Sequence, residues 1–232
     1  MNSADIMALD SIAYSSSTHE MIIKHICAGL LSGKYAPGDK LSDKEICNEL
    51  EISRTPLREA YRVLQAMGLV EFVAQRGVRI VELTDKEMRD LWSLRIALEK
   101  FAAVSAVSHI TPVELKQLNH LVGYIDTLSS DDVNELNDMN REFHWTIAKA
   151  SGNGFLFESY KRVWLQIAIL TTKLHLIENQ PHNCNDEHRM ILKCIEEKDS
   201  EKLEKVVVDH LEDAWAILEE REKMTSEAVR KD

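Results

Sequence analysis

The sequence predicts a mainly α-helical protein: an N-terminal winged helix-turn-helix followed by an all-α helical bundle. Three observations carry that expectation. From Ser17 to Leu83 the patterns run helix, short helix, turn, helix, hairpin, the order of a winged helix-turn-helix. After Leu83 no strand pattern recurs, only long amphipathic runs opened by capping boxes. Eight glycines and four prolines in 232 residues are few, which favours helices with short connections.

Residues 1–15 lack a pattern and are expected to form a flexible N-terminus. Ser17-Thr18-His19-Glu20 reads as a capping box, with Ile22, Ile23, Ile26 and Leu30 following at helical spacing. Gly33 and "APGDK" stop that helix. Ser42-Asp43-Lys44-Glu45 is a second box, opening a short helix with Ile46 and Leu50 inward. Ser53 caps a third helix, with Pro56 in its first turn, where a missing N–H has no intrahelical partner to lose. Leu57, Ala60, Val63, Leu64 and Met67 form the buried side, and Gly68 ends it. "LVEFVA" and "GVRIVEL", β-branched and joined through "QRG", predict a small hairpin. Thr84-Asp85-Lys86-Glu87 and Thr111-Pro112-Val113-Glu114 then open two long helices. More helices are expected at 131–150, 154–179, 184–197 and 200–224, divided by "SGNG", "NQPHN" and "KDS". The predicted domains are 16–83 for the winged helix and 84–226 for the bundle.

Hydrophobic content of 44% and charged content of 29% are ordinary for a soluble globular chain. The four cysteines (Cys27, Cys47, Cys184, Cys194) show no CxxC pair and no framework spacing. No apolar stretch approaches the ~18 residues of a membrane span. No basic segment followed by an apolar run opens the chain, so a cytoplasmic protein is expected. The net charge of −11 is unevenly spread: residues 1–80 hold nine Lys/Arg against ten Asp/Glu, the rest nineteen against twenty-nine. Between Arg54 and Arg79 the balance reverses, to five arginines against two glutamates. An acidic body with a local arginine face repels DNA everywhere except at one patch. Arg54, Arg58 and Arg62, four residues apart, share one helical face. Their planar forks match the O6/N7 edge of guanine or a phosphate; the alternative is an ordinary solvated face.

The stretch "PGDKLSDKEICNELEISRTPLREAYRVLQAMGLVEFVAQRGVRIVELT" resembles the DNA-binding domain of the GntR superfamily of bacterial transcription regulators. The match is ordered: PG before the second helix, SRTPLREA in the third, GLV at its end, RG at the wing. "LRIALEKFAA", "NREFHWTIAKASGN" and "EHRMIL" are similar to the FadR-type (FCD) C-terminal effector domain. The resemblance implies that residues 53–64 enter the major groove. Ser53, Arg54, Thr55 and Arg58 would then be the contacts, with Arg62 on phosphate or paired with Glu59 or Glu51. Lys44, where relatives often carry arginine, would hold phosphate as a point charge. Arg76-Gly77 would meet the minor groove or backbone at the wing. A palindromic double-stranded operator and a homodimer are implied, because one short recognition helix reads only a few base pairs.

In the second domain Asn140 and His144 lie four apart on one helix face, and His188 and His210 sit in separate helices among apolar neighbours. Three imidazoles and one side-chain oxygen inside a bundle suit Zn²⁺ or another first-row divalent ion. The resemblance implies a metal held by an Asp and three His at matching positions. Here Asn140 stands for the Asp and offers only a neutral carbonyl. Asp138, two residues away, is turned about 200° around the helix. A polar pocket without tight metal is the alternative. Arg95 either pairs with Glu99 one turn on or holds the carboxylate of a small organic-acid effector. His175, Trp145, Trp164 and Tyr160 line such a pocket or pack the core, where Trp92 and Trp215 also belong. The expected function is an effector-controlled, DNA-binding transcription regulator, not an enzyme. Two alternatives stand beside it: a metal-dependent enzyme fused to a winged helix, against which HExxH is absent, and a winged helix used for protein contact only.

Overall fold

The computed structural model describes residues 17–129, 132–170 and 185–229. The expected frayed N-terminus, the end of the 154–179 helix, the "NQPHN" break, His175 and Cys184 lie outside the described residues. By packing, residues 17–89 with 164–170 form one compact unit, and residues 90–163 with 185–229 form a second. The first unit thus takes in a length of helix from late in the sequence besides the winged helix.

Helix α1 (Ser17–Leu31) already includes Ser17, one residue earlier than a capping box centred on that serine. In α2 (Asp43–Glu49) the Ser42 hydroxyl accepts from Glu45 N–H, one of the two bonds of a capping box. The turn that follows closes tightly. Ile52 N–H donates to the Cys47 carbonyl at 3.0 Å, and Glu51 takes a φ of 53° in the left-handed region. Helix α3 (Arg54–Ala66) buries Leu57, Ala60, Tyr61 and Leu64 and leaves its arginines outside. It ends as a Schellman motif. Gly68, at φ 74°, donates to Gln65 and Leu69 to Leu64. Strands β1 (Val70–Val73) and β2 (Gly77–Ile80) pair antiparallel, Val70 opposite Ile80 and Val73 opposite Gly77. Lys40 adds a bridge on the far edge of β2, opposite Arg79. The core of this unit joins Ile22, Ile26 and Leu30 to Leu57, Leu64, Val78 and Ile80, with Leu165 among them.

The second unit is wholly helical among the described residues. Helix α4 (Asp85–His109) opens on Thr84, whose hydroxyl accepts from Glu87 N–H while Glu87 reaches back to Thr84. α5 (Pro112–Ile125) carries the full reciprocal box of Thr111 and Glu114. α6 (Val133–Ala150), α7 (Gly154–Leu170) and α8 (Asn185–Glu197) follow. α9 (Ser200–Val229) runs past the expected end at 224. Phe143, Leu118, Ile191, Leu203, Val207 and Leu211 centre the core, and Trp92 and Trp215 pack 5.5 Å apart, as core tryptophans do. No helix among the described residues is long and apolar enough to cross a membrane.

Candidate nucleic-acid interface and metal centre

The first unit sorts its cations into two classes. Lys24 pairs with Glu20 at 2.7 Å, Lys34 with Glu49 at 2.8 Å, Arg62 with Glu59 at 2.9 Å and Arg79 with Glu71 at 2.7 Å. Arg62 thus takes the ion-pair option. Lys40, Lys44, Arg54, Arg58 and Arg76 are exposed and make no ion pair with any described residue. Four of those five are residues the sequence pointed to for DNA; Lys40 was not. Arg54 and Arg58 stand at the N-terminal end of α3. Ser53 has the extended backbone of an N-cap, φ −82° and ψ 168°, yet its side chain makes no capping bond. The first-turn amides of α3 therefore have no side-chain cap from Ser53, and a helix N-terminus in that state favours an anion. Tyr61 ties α3 to α2, its hydroxyl donating to Asp43 at 3.2 Å.

In the second unit the fold brings His144 of α6, His188 of α8 and His210 of α9 together, with one ring nitrogen from each within 4.8 Å of the others. All three are buried. The phenyl ring of Phe143 stacks on His188 at 4.3 Å. Two carboxylates orient the set. His144 Nδ1 lies 2.7 Å from Glu99 Oε2, and His210 Nδ1 lies 2.6 Å from Glu187 Oε2. An ionised carboxylate only accepts, so each Nδ1 carries the proton and each Nε2 presents a lone pair. Those two Nε2 atoms face one another at 3.2 Å. Two lone pairs at that distance need a shared electrophile: one extra proton or a metal ion. Nitrogens sharing one tetrahedral zinc, each at about 2.0–2.1 Å, stand about 3.3 Å apart. His188 is completely buried, and neither of its ring nitrogens has a hydrogen-bond partner among the described residues. An orphaned buried imidazole beside two aimed lone pairs is a donor set that fits a divalent ion.

Burial holds the His144 pKa below the ordinary value, although Glu99 opposes it. His188 is pushed well below, by burial and then by His144 and His210. Neutral imidazole is the ligating form, and a buried extra proton is disfavoured by the same desolvation. Asn140 lies one turn before His144 on α6 and is half-buried. Asp138 is buried and bound to Arg141 Nη2 at 2.8 Å, so its carboxylate is engaged elsewhere.

Arg95 and Glu99 interrupt the buried stripe of α4. Arg95 Nε meets Glu99 Oε1 at 2.5 Å, the internal partner that the sequence offered, and its guanidinium lies 4.6 Å from the Trp92 ring. Tyr160 donates to the same Glu99 oxygen at 3.1 Å. Burial alone would raise the Glu99 pKa, but Arg95 and His144 outweigh it and hold the carboxyl ionised far below its usual range. Glu99 therefore joins Arg95 to His144. That role escaped the sequence reading, which saw Glu99 only as a partner for Arg95; the Glu187 contact with His210 escaped it too. Beside the triad a small cavity is lined by Glu99, His144, Ala102, Ala103, Ile147, Ala148, Ile191 and Val207. Trp145 packs edge-on to Phe157, and Trp164 packs against the core of the first unit.

Comparison with known proteins bears on both units. Residues 18–80 match the family described as bacterial regulatory proteins, gntR family, and residues 90–213 match the FCD domain. The HTH-type transcriptional regulator YdhC of Bacillus subtilis is 25% identical over 185 residues, 78% of this chain and 82% of the relative. The gluconate operon transcriptional repressor of B. subtilis is 22% identical over 228 residues, 93% of each chain. Among solved structures, McbR/YncC of Escherichia coli superposes with a TM-score of 0.75 at 21% identity, covering 89% of this chain and 99% of that one. These relatives are regulators, and the enzyme alternative finds no support among them. The chain therefore belongs to the GntR family of bacterial regulatory proteins, a transcription regulator whose winged helix-turn-helix precedes an FCD domain.

Proposed function

We propose that the chain is a homodimeric, FadR-type regulator whose affinity for a palindromic operator is set by a small carboxylate bound at a divalent metal in the FCD domain. The observation that carries the DNA half is the sorting of cations. In the winged helix, Lys24, Lys34, Arg62 and Arg79 each have an acidic partner, while Lys44, Arg54, Arg58 and Arg76 on the face expected to meet DNA make no ion pair with any described residue, and Lys40 joins them. Ser53, Arg54, Thr55 and Arg58 would enter the major groove, with Lys44 on phosphate and Arg76-Gly77 at the wing. Replacement of Arg54 by Ala tests this: genomic-fragment selection should recover an operator with the wild type and none with the variant. Recovery of the same fragments by both would reject the groove reading.

His144, His188 and His210 would hold the ion, with the Asn140 carbonyl as an oxygen donor. When bound, it would supply a Lewis-acidic contact for an effector carboxylate. Arg95, engaged by Glu99, contributes by fixing that glutamate, and through it the ring of His144. The cavity beside Glu99 and His144 is mostly apolar, which suits a small molecule with one acidic end. Regulators named for a gluconate operon and a D-xylose utilization operon among the relatives support a small metabolite as effector. Elemental mass spectrometry of the purified protein beside His144→Ala decides the matter. About one metal per chain, lost in the variant, supports the site; none in either leaves a metal-free polar pocket.

For the dimer, α4 exposes Leu94 and Phe101, seven residues apart on one stripe and 48% and 57% accessible. Phe101→Glu should lower the mass measured by light scattering if that stripe is the interface. An unchanged mass would place the interface elsewhere.

A further inference from the structure

The outer face of the wing holds a like-charge pair that the fold itself does not need. Lys40 stands directly opposite Arg79. Ile80 N–H donates to Asp39 and Leu41 N–H to Val78, both at 2.9 Å. Those bonds flank Lys40 and Arg79 as a non-hydrogen-bonded antiparallel pair, the kind in which opposite side chains share a face and come closest. Two cations so placed repel. Arg79 turns to its other neighbour, Glu71 on β1, Nε to Oε1 at 2.7 Å. Lys40 makes no ion pair with any described residue. The nearby carboxylate of Glu82 lies over Gly38, two residues back along the strand, where an added Cβ would be 3.0 Å from its Oε2. The Lys40 side chain runs the other way, toward the wing tip. Its Cε is 3.6 Å from the point where Gly77 would carry a Cβ. Gly77, at φ 91°, follows Arg76 in the chain. The tip therefore gathers two uncompensated positive charges, Lys40 and Arg76.

We propose that Lys40 is a DNA-backbone contact of the wing, holding a phosphate next to the one Arg76 meets. The inference rests on the DNA-binding reading above and adds a residue to it. A lysine ammonium is a compact point charge without the planar fork that reads guanine, so its contribution is independent of sequence. The outer-face position, the absence of an internal partner and the tolerated repulsion with Arg79 all fit a side chain kept for an external anion.

The test is fluorescence anisotropy of the full chain on a short labelled duplex of random sequence, titrated with potassium chloride. Lys40→Ala should weaken binding and reduce the slope of log affinity against log salt by about 0.9 per protomer. Lys40→Arg should keep the wild-type slope. Lys34→Ala, which removes an ammonium paired with Glu49, should change neither. Circular dichroism melts serve as the check on folding, since Lys40 is exposed. A wild-type slope in Lys40→Ala, beside a reduced one in Arg76→Ala, would overturn the proposal and leave the DNA reading standing. No salt-dependent binding by the wild type would overturn both.

Discussion

Glu99→Gln changes one atom and should change the chemistry of the whole histidine cluster. The carboxylate receives three donors: Arg95 Nε at 2.5 Å and Tyr160 Oη at 3.1 Å on Oε1, and His144 Nδ1 at 2.7 Å on Oε2. Glutamine keeps one oxygen, which stays with Arg95 and Tyr160, and turns an NH₂ donor toward His144. Nδ1 must then accept, so the proton moves to Nε2, the atom facing His210 Nε2 at 3.2 Å. That tautomer bonds His210 directly and gives up the lone pair a metal would need. Loss of such a partner typically lowers metal affinity about 10–100-fold. Stability should fall as well, because Arg95 is left as a buried charge facing a neutral amide. Breaking a buried pair costs about 3–5 kcal/mol, and the retained hydrogen bond argues for the lower end. At 2–4 °C per kcal/mol, about 3 kcal/mol is a drop of roughly 6–12 °C. Chelator competition with zinc gives the affinity, calorimetry gives the transition of the second unit, and ¹⁵N spectra of the imidazoles give the tautomer. A folded variant with wild-type zinc affinity and an Nδ1-protonated His144 would refute the reasoning.

Three other outcomes follow from the same geometry. Asn140→Asp restores a charged oxygen one turn before His144 and should tighten zinc by about tenfold or more in the same competition assay; unchanged affinity would remove position 140 from the ligand set. Gly68→Ala puts a side chain at φ 74°, with its Cβ 2.0 Å from Gln166 Nε2. The Gln166 tip can move but the left-handed backbone cannot, so about 1–2 kcal/mol of stability should be lost in denaturant titration. Metal-free protein should weaken in mild acid. His144 and His188 have folded pKa values below their ordinary value, so the unfolded chain takes up the protons first. Stability is then full above the unfolded value of about 6.5 and falls as pH drops below it, by up to about 1.4 kcal/mol per pH unit for each histidine. Urea midpoints across that range measure it, and a flat profile would contradict the neutral, buried assignment.

Much of the fold was legible because its signals are local. Thr111 and Glu114 announce a helix start within four residues, and the Gly68 turn, the Pro56 first turn and the β-branched hairpin are equally short-range. What was missed depends on pairing across distance. The bridge of Lys40 to Arg79 joins segments on either side of two helices, and nothing in "PGDKL" marks it as a strand. Glu187 looks like an ordinary first-turn acid of α8 until α9 places His210 beside it.

Glu99 is the instructive intermediate case. The buried stripe of α4 runs Trp92, Arg95, Glu99, Ala102, Ala103, Ala106 and Val107, so two ionised residues sit where a bundle helix ordinarily carries apolar ones. The periodicity alone exposes that violation, and spacing of four suggests that the two answer each other. A self-contained ion pair is a weak explanation, however, because apolar residues of similar volume usually serve stability as well or better. The second oxygen of Glu99 supplies the missing reason: it sets the tautomer of His144. If the proposed metal takes neutral Asn140 as its oxygen donor, negative charge must come from elsewhere, and Glu99 and Glu187 supply it through the Nδ1 of His144 and of His210. The departures from a plain helical pattern on α4 and α8 are thus where the chain gives up packing to orient the rings of His144 and His210.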